Sequence, residues 1–163
     1  LHPMEDVLHF FSHQTNVSLA LPIGWEALSE DQHRATYYYE IFDEDEDEAQ
    51  QALNPRFLVS LFPAGGTEVE RLNQASQAML AEQKQQFSHL SHADVEIDGY
   101  PAVTDVFSYF DDELDTQLVQ NQTFVLVDDV LFSFTGNAPD EYQEAFLKMY
   151  DDALSAARFI FIS

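Results

Sequence analysis

Apolar and polar positions change rhythm several times along the chain, and each rhythm predicts an element. Val17, Leu19 and Leu21 stand at alternate positions, which predicts a strand. Pro22 and Gly24 turn the chain, and Trp25 enters a second short extended piece. After a polar turn at 29–34, the run Thr36 to Phe42 (TYYYEIF) carries the aromatic residues that favour strands. Arg56 to Phe62 predicts another strand, closed by Pro63 and Gly65-Gly66.

The rhythm then lengthens. Val69, Leu72, Ser76, Met79, Leu80 and Phe87 follow a helical stripe, so Thr67 to Phe87 reads as a helix. Thr67 and Glu70 have the spacing of a capping box at its start. Asp94 to Ile97 is a short strand, Asp98-Gly99 a turn, and Ala102 to Phe110 a longer strand. From Thr116, two apolar runs flank Asp128-Asp129, which fits a hairpin with a two-residue loop. A last helix follows, with Asn137 as expected N-cap and Pro139 in its first turn. Its stripe is Tyr142, Ala145, Phe146, Met149, Tyr150, Ala153 and Ala157, and Arg158 to Ile162 is extended.

Strands joined by short turns pair antiparallel. The expected class is therefore α+β: two long helices packed on a mainly antiparallel sheet. With 163 residues and no long linker, residues 16–163 form one domain. Residues 1–15 form an N-terminal arm, in which Val7, Leu8, Phe10 and Phe11 predict a short helix after Pro3.

Charge narrows the choice of partner. There are 30 acidic residues against 6 Lys and Arg, a formal net charge of -24. A nucleic-acid binder needs a basic footprint, which this chain lacks. An anionic membrane surface repels it, whereas a basic partner is attracted. No cysteine is present, which excludes disulfides and thiolate chemistry. No apolar run approaches the ~20 residues of a membrane span. No signal peptide is visible, and the cytoplasm is the expected compartment, although a start at Leu1 rather than Met leaves room for a leader.

Three short motifs carry the resemblance of this chain to a family. They are Leu21-Pro22 with Gly24-Trp25, the opening of the middle strand at Gly99, Pro101 and Ala102, and the 116–136 hairpin leading to a helix that ends at Ala157-Arg158-Phe159. Over residues 16–160 the chain resembles the PsbP-like superfamily, and in particular its small bacterial single-domain members. The resemblance implies an α/β/α sandwich with a central antiparallel sheet. It also implies a mostly non-enzymatic membership: photosystem assembly subunits, a Ran-binding import factor, and chaperone-adaptors of type VI secretion that cradle apolar helices. The acidic run at 43–48 and the lack of a lipoprotein cysteine set this chain apart from photosynthetic and lipid-anchored members.

Candidate chemistry is sparse. His9 and His13, at i, i+4 with Asp6 nearby, are metal-ligand candidates if they share a helix; otherwise they are a chance pair on an arm. His89 and His92 flank the expected helix exit, where a cationic imidazole suits the dipole. Asp43 to Glu48 lacks the glycine and terminal glutamate of a calcium loop and reads as a solvated loop. No nucleophile elbow and no phosphate loop is present. No catalytic residue and no cofactor is assigned.

The aromatic strands point elsewhere. Tyr37, Tyr39, Phe107 and Tyr109 lie on sheet faces that two helices need not cover fully. An uncovered aromatic patch there would dock a protein partner, either basic or an apolar helix. The expected function is a non-catalytic adaptor or chaperone-like module. A small-molecule or divalent-cation binding protein is the alternative.

Overall fold

The computed structural model describes residues 7–41 and 45–160. Among the described residues, ten strands and three helices follow one another. They are β1 (Val7–Ser12), β2 (Val17–Pro22), β3 (Trp25–Asp31), β4 (Arg34–Tyr39), α1 (Glu48–Gln51) and β5 (Arg56–Pro63). Then come α2 (Val69–Gln83), β6 (Gln85–Ile97), β7 (Tyr100–Asp111), β8 (Thr116–Val127), β9 (Val130–Pro139), α3 (Gln143–Ala156) and β10 (Arg158–Phe159). A 3-10 turn at Asp140–Tyr142 joins β9 to α3. Seven strands form one sheet in the order β3-β4-β5-β9-β8-β7-β6, and β1-β2-β10 form a second, small one. Every pairing is antiparallel. The α+β class expected from the sequence is the class observed.

The β8–β9 hairpin turns where the sequence predicts. Asp128 and Asp129 both take positive φ, 49° and 64°, the mirror-image turn whose twist matches the flanking strands. Asp98-Gly99 turns β6 into β7 in the same way, with φ of 51° and 84°. β6 to β9 thus form a continuous meander, and β5 joins it beside β9.

Strand alternation sorts the meander residues onto two faces. On one face, Val106, Val119, Val125, Phe132 and Phe134 meet Phe146, Met149, Tyr150 and Ala153 of α3. The small sheet closes this core with Val17, Leu19, Leu21 and Phe159. Gly136 permits the close approach: a Cβ there would lie 2.7 Å from the Phe146 ring and 2.8 Å from the Tyr150 ring. On the other face, Val103, Phe124 and Leu131 form a smaller cluster with Val69 and Leu72 of α2. Asn73 is the buried residue of α2, so the helix rides on a largely polar layer.

Four local expectations are corrected. Val7–Ser12 is a strand paired with Val17–Pro22, not a helix, because the pairing buries Ser12 and places Phe10 on Tyr37. Thr67 does not cap α2: the N-cap is Glu68, without a side-chain hydrogen bond. The helix stops at Gln83, and β6 replaces its last turn and extends the strand expected at 94–97 back to Gln85. Asn137 is inside β9, opposite Arg56 and Gln120, so α3 starts six residues later. No helix among the described residues is long and apolar enough to cross a membrane.

Candidate functional site

At the β6 end of the sheet, α3 leaves one flank open. Ser91, Ala93 and Val95 project from alternate positions of β6, and Thr104 and Val106 from β7. Leu147, Asp151, Leu154 and Ser155 follow one stripe of α3 and form the opposite wall. The result is a groove of about 360 Å³ with apolar sides formed by Ala93, Val95, Val106, Leu147 and Leu154. Its rim is acidic, with Glu96 on the strand side and Asp151 on the helix side. Packing against the wall raises the Asp151 carboxyl above its ordinary range, and the neighbouring Asp152 raises it further.

A chain of polar contacts runs beneath the groove floor. Thr104 Oγ1 lies 3.0 Å from Asn121 Oδ1 and 2.7 Å from Thr123 Oγ1. Thr123 is 2.9 Å from the Tyr150 hydroxyl, which donates to the Phe134 carbonyl at 2.8 Å. This chain of polar contacts ties β7, β8 and β9 to α3 beneath the groove. Burial pushes the Tyr150 phenol far up, so it remains a neutral donor. Outside the groove, β6 is the last strand of the sheet and has no neighbour on its outer side among the described residues. Its two register shifts both fall before Ser91, so Ser91 to Ile97 is regular strand.

The opposite face of the same strands carries a buried carboxylate. Asp105 is fully buried. Its Oδ1 accepts from Gln77 Nε2 at 3.0 Å and lies 2.8 Å from both His89 Nε2 and His92 Nδ1. The hydrogen bond to Asp105 is the largest of the causes that raise the His92 pKa. These two histidines therefore serve a strand rather than a helix terminus.

The residues singled out in the sequence are placed differently from expectation. Tyr37, Phe107 and Tyr109 are buried, and Tyr39 is half-buried. Phe10 of β1 covers Tyr37 with ring centroids 5.2 Å apart, and Trp25 lies 6.0 Å from Tyr39. Phe87 and His89 lie on Phe107. Lys84 sits 5.1 Å over the Tyr109 ring, whose hydroxyl donates to Gln120. Tyr37, Phe107 and Tyr109 are core, because β1 and the start of β6 supply cover that the two helices do not. Burial raises Tyr37 and Tyr109 to about 12 each.

His9 and His13 are exposed, on a strand and in the turn after it, so no helix face brings them together. Asp6 lies outside the described residues, as do Asp43 and Glu44 of the acidic run. Asp47 of that run caps α1, accepting from Gln50 N at 2.8 Å. The groove is not legible in the sequence, because 85–93 lacks the two-residue period of a half-buried strand.

No protein-family model matches the chain, and no curated protein matches it. Solved structures do. LpqN of Mycobacterium tuberculosis, described as involved in cell envelope biogenesis, matches with a TM-score of 0.67 at 13% identity over 93% of this chain and 89% of that one. The Ran-binding protein Mog1p of Saccharomyces cerevisiae matches with a TM-score of 0.66 at 11% identity, over 95% and 96% of the two chains. Cyanobacterial PsbP of Synechocystis matches with a TM-score of 0.62 at 10% identity, over 96% and 94%. These likenesses define a small single domain. Its fold is PsbP/Mog1-like, as the sequence motifs implied.

Proposed function

We propose that this chain is a non-catalytic protein-binding module that seats an extended, basic segment of a partner protein along β6. The observation that carries the reading is the groove between α3 and the free β6 edge. A regular edge strand offers main-chain hydrogen bonds to an added strand, and the groove offers pockets for its alternate side chains. The walls suit apolar side chains, while Glu96, Asp151 and the net charge of -24 favour a cationic segment and speed its approach. The layering that supports this reading is an α/β/α sandwich, with α2 and α3 on opposite faces and the β6 flank left accessible. Among the structural neighbours, Mog1p is described as binding another protein, Ran, which is in keeping with a binding role.

The test is copurification of the full chain from its host, in parallel with two variants. Ala93→Trp fills the groove from an exposed strand position, and Ala78→Trp places the same bulk on the exposed side of α2. The expected result is a stoichiometric protein partner retained by wild type and Ala78→Trp and lost by Ala93→Trp. Retention by all three, or a wild-type chain that returns alone while binding a small metabolite, refutes the reading.

A further inference from the structure

The face of β6 turned away from the groove carries a second arrangement that a docked strand does not use. Glu70 of α2 and His92 and Asp94 of β6 each bring a potential ligand atom within 4.8 Å of the other two. The convergence follows from local structure. His92 and Asp94 are two apart on a strand and share a face, and α2 lays Glu70 beside them.

The histidine is already set for coordination. Its Nδ1 lies 2.8 Å from Asp105 Oδ1, in register across the β6–β7 pair. A carboxylate on Nδ1 fixes the tautomer and leaves the lone pair of Nε2 outward. Asp105 is 0% exposed, and its second oxygen, Oδ2, has no hydrogen-bond partner among the described residues. Gln77 and His89 anchor Oδ1 from two further directions.

A second observation points to the same place. Glu70, Asn73 and Gln77 fall on one stripe of α2, at i, i+3 and i+7. The ends of that stripe reach the His92–Asp94 pair and Asp105 respectively. Asn73, between them, is 0% exposed, and neither atom of its amide has a partner among the described residues. A buried amide without a partner is costly, so native proteins rarely keep one without a use. Here it offers an unused donor and acceptor one helical turn from Glu70, on the same stripe of α2.

We propose that Glu70, His92 and Asp94 bind a divalent cation of the zinc class, with buried Asp105 as the positioning carboxylate of His92. One imidazole and two carboxylates suit zinc, whereas calcium takes six to eight oxygens. The three side chains carry two negative charges with a neutral imidazole, which balances a dication. Three protein ligands leave at least one coordination position open to water or to a group from elsewhere. The site is independent of the groove, since it lies on the other face of β6, and its failure leaves the groove reading intact.

The test is calorimetric titration of the full chain with zinc alone, and with calcium and magnesium as comparators, at moderate salt. Moderate salt screens the diffuse attraction of so acidic a protein for any cation. One saturable zinc site is expected, with calcium and magnesium binding far more weakly. Glu70→Gln and Asp94→Asn are expected to weaken zinc by more than about 100-fold, as the loss of a direct ligand does more than the roughly 10- to 100-fold of a supporting group. Asp105→Asn is expected to weaken it by about 10- to 100-fold. Paired Asp45→Asn and Asp47→Asn changes in the acidic loop are expected to leave affinity unchanged. In an NMR titration, zinc is expected to shift the His92 imidazole before any other. Asp94 is exposed, so its variant folds and keeps the test decisive even if Asp105→Asn does not fold. No saturable heat, equal responses to zinc and calcium, or wild-type affinity in Asp94→Asn each overturn the proposal.

Discussion

Replacing Gly136 with alanine adds one methyl group at the tightest point between β9 and α3. The new Cβ would lie 2.7 Å from Phe146 Cζ and 2.8 and 3.1 Å from two Tyr150 ring carbons, against an optimum of about 3.5–4.0 Å. Neither side can retreat easily. β9 is paired on both edges, to β5 and β8, and both rings are 0% exposed. Overpacking of this kind costs about 1–3 kcal/mol. Alanine restricts the unfolded chain more than glycine does, which offsets about 0.4–1 kcal/mol. The larger consequence comes through Tyr150. If its ring moves, its buried hydroxyl loses Thr123 and the Phe134 carbonyl, and an unpaired buried group costs about 1–3 kcal/mol. The net expectation is a loss of roughly 2–4 kcal/mol, so the steric effect outweighs the entropic gain. For a chain of this size that lowers Tm by roughly 5–15 °C, taking about 2–4 °C per kcal/mol. Urea unfolding followed by the fluorescence of the single tryptophan, Trp25, measures the free energy directly. Phe146→Leu removes the closer ring edge, so the double variant should lose less than the sum of the single ones. A Gly136→Ala variant within about 0.5 kcal/mol of wild type, or strict additivity with Phe146→Leu, refutes the argument.

Two further outcomes follow from charge. With a net charge of -24, self-repulsion opposes the compact state, so Tm should rise from low to moderate salt; a flat or falling Tm contradicts this. Tyr37 and Tyr109 are raised by burial to about 12, against about 10 when unfolded. Their contribution is intact below pH 10 and is lost as pH climbs from about 10 to 12, because the unfolded state releases the protons first. Two units correspond to roughly 2–3 kcal/mol per phenol. Absorbance of phenolate should then show these tyrosines ionising together with alkaline unfolding; ionisation near pH 10 in a folded chain contradicts their burial.

Legibility in the sequence followed the sharpness of local signals. The β8–β9 hairpin was readable because Asp128-Asp129 interrupts two long apolar runs, and only residues tolerant of positive φ fit between them. Most of the α3 stripe was readable for the same reason of clean periodicity; Phe146, Met149, Tyr150 and Ala153 are buried as expected, while Ala145 is exposed. β6 was not readable. Ile97 is the buried residue of its thirteen, and register shifts near 85–91 break the two-residue period. The helical stripe therefore runs on to Phe87 in the sequence, which puts His89 and His92 at its exit. The aromatic patch failed for a different reason: its cover comes from residues distant in sequence, Phe10 for Tyr37 and Lys84 for Tyr109. A signal for the Asp105 cluster was present. Asp105, Gln120 and Gln122 are polar positions within apolar strands, and the register sets Asp105 directly opposite Gln122. Such interruptions, gathered on one sheet face, mark a polar layer under a helix.

The two-residue strand β10 shapes how the chain folds. β6 to β9 are joined by tight turns, so their contacts are local and form early at little loop-closure cost. β5 pairs with β9 across the length of the meander, and β10 pairs Arg158 and Phe159 with Ser18 and Val17 across nearly the entire chain. Phe159 then drops among Tyr100, Phe132 and Phe134 and locks β2 and its sheet against α3. The last residues of the described chain thus act as a clasp, closing late over a nucleus formed by the middle of the sequence.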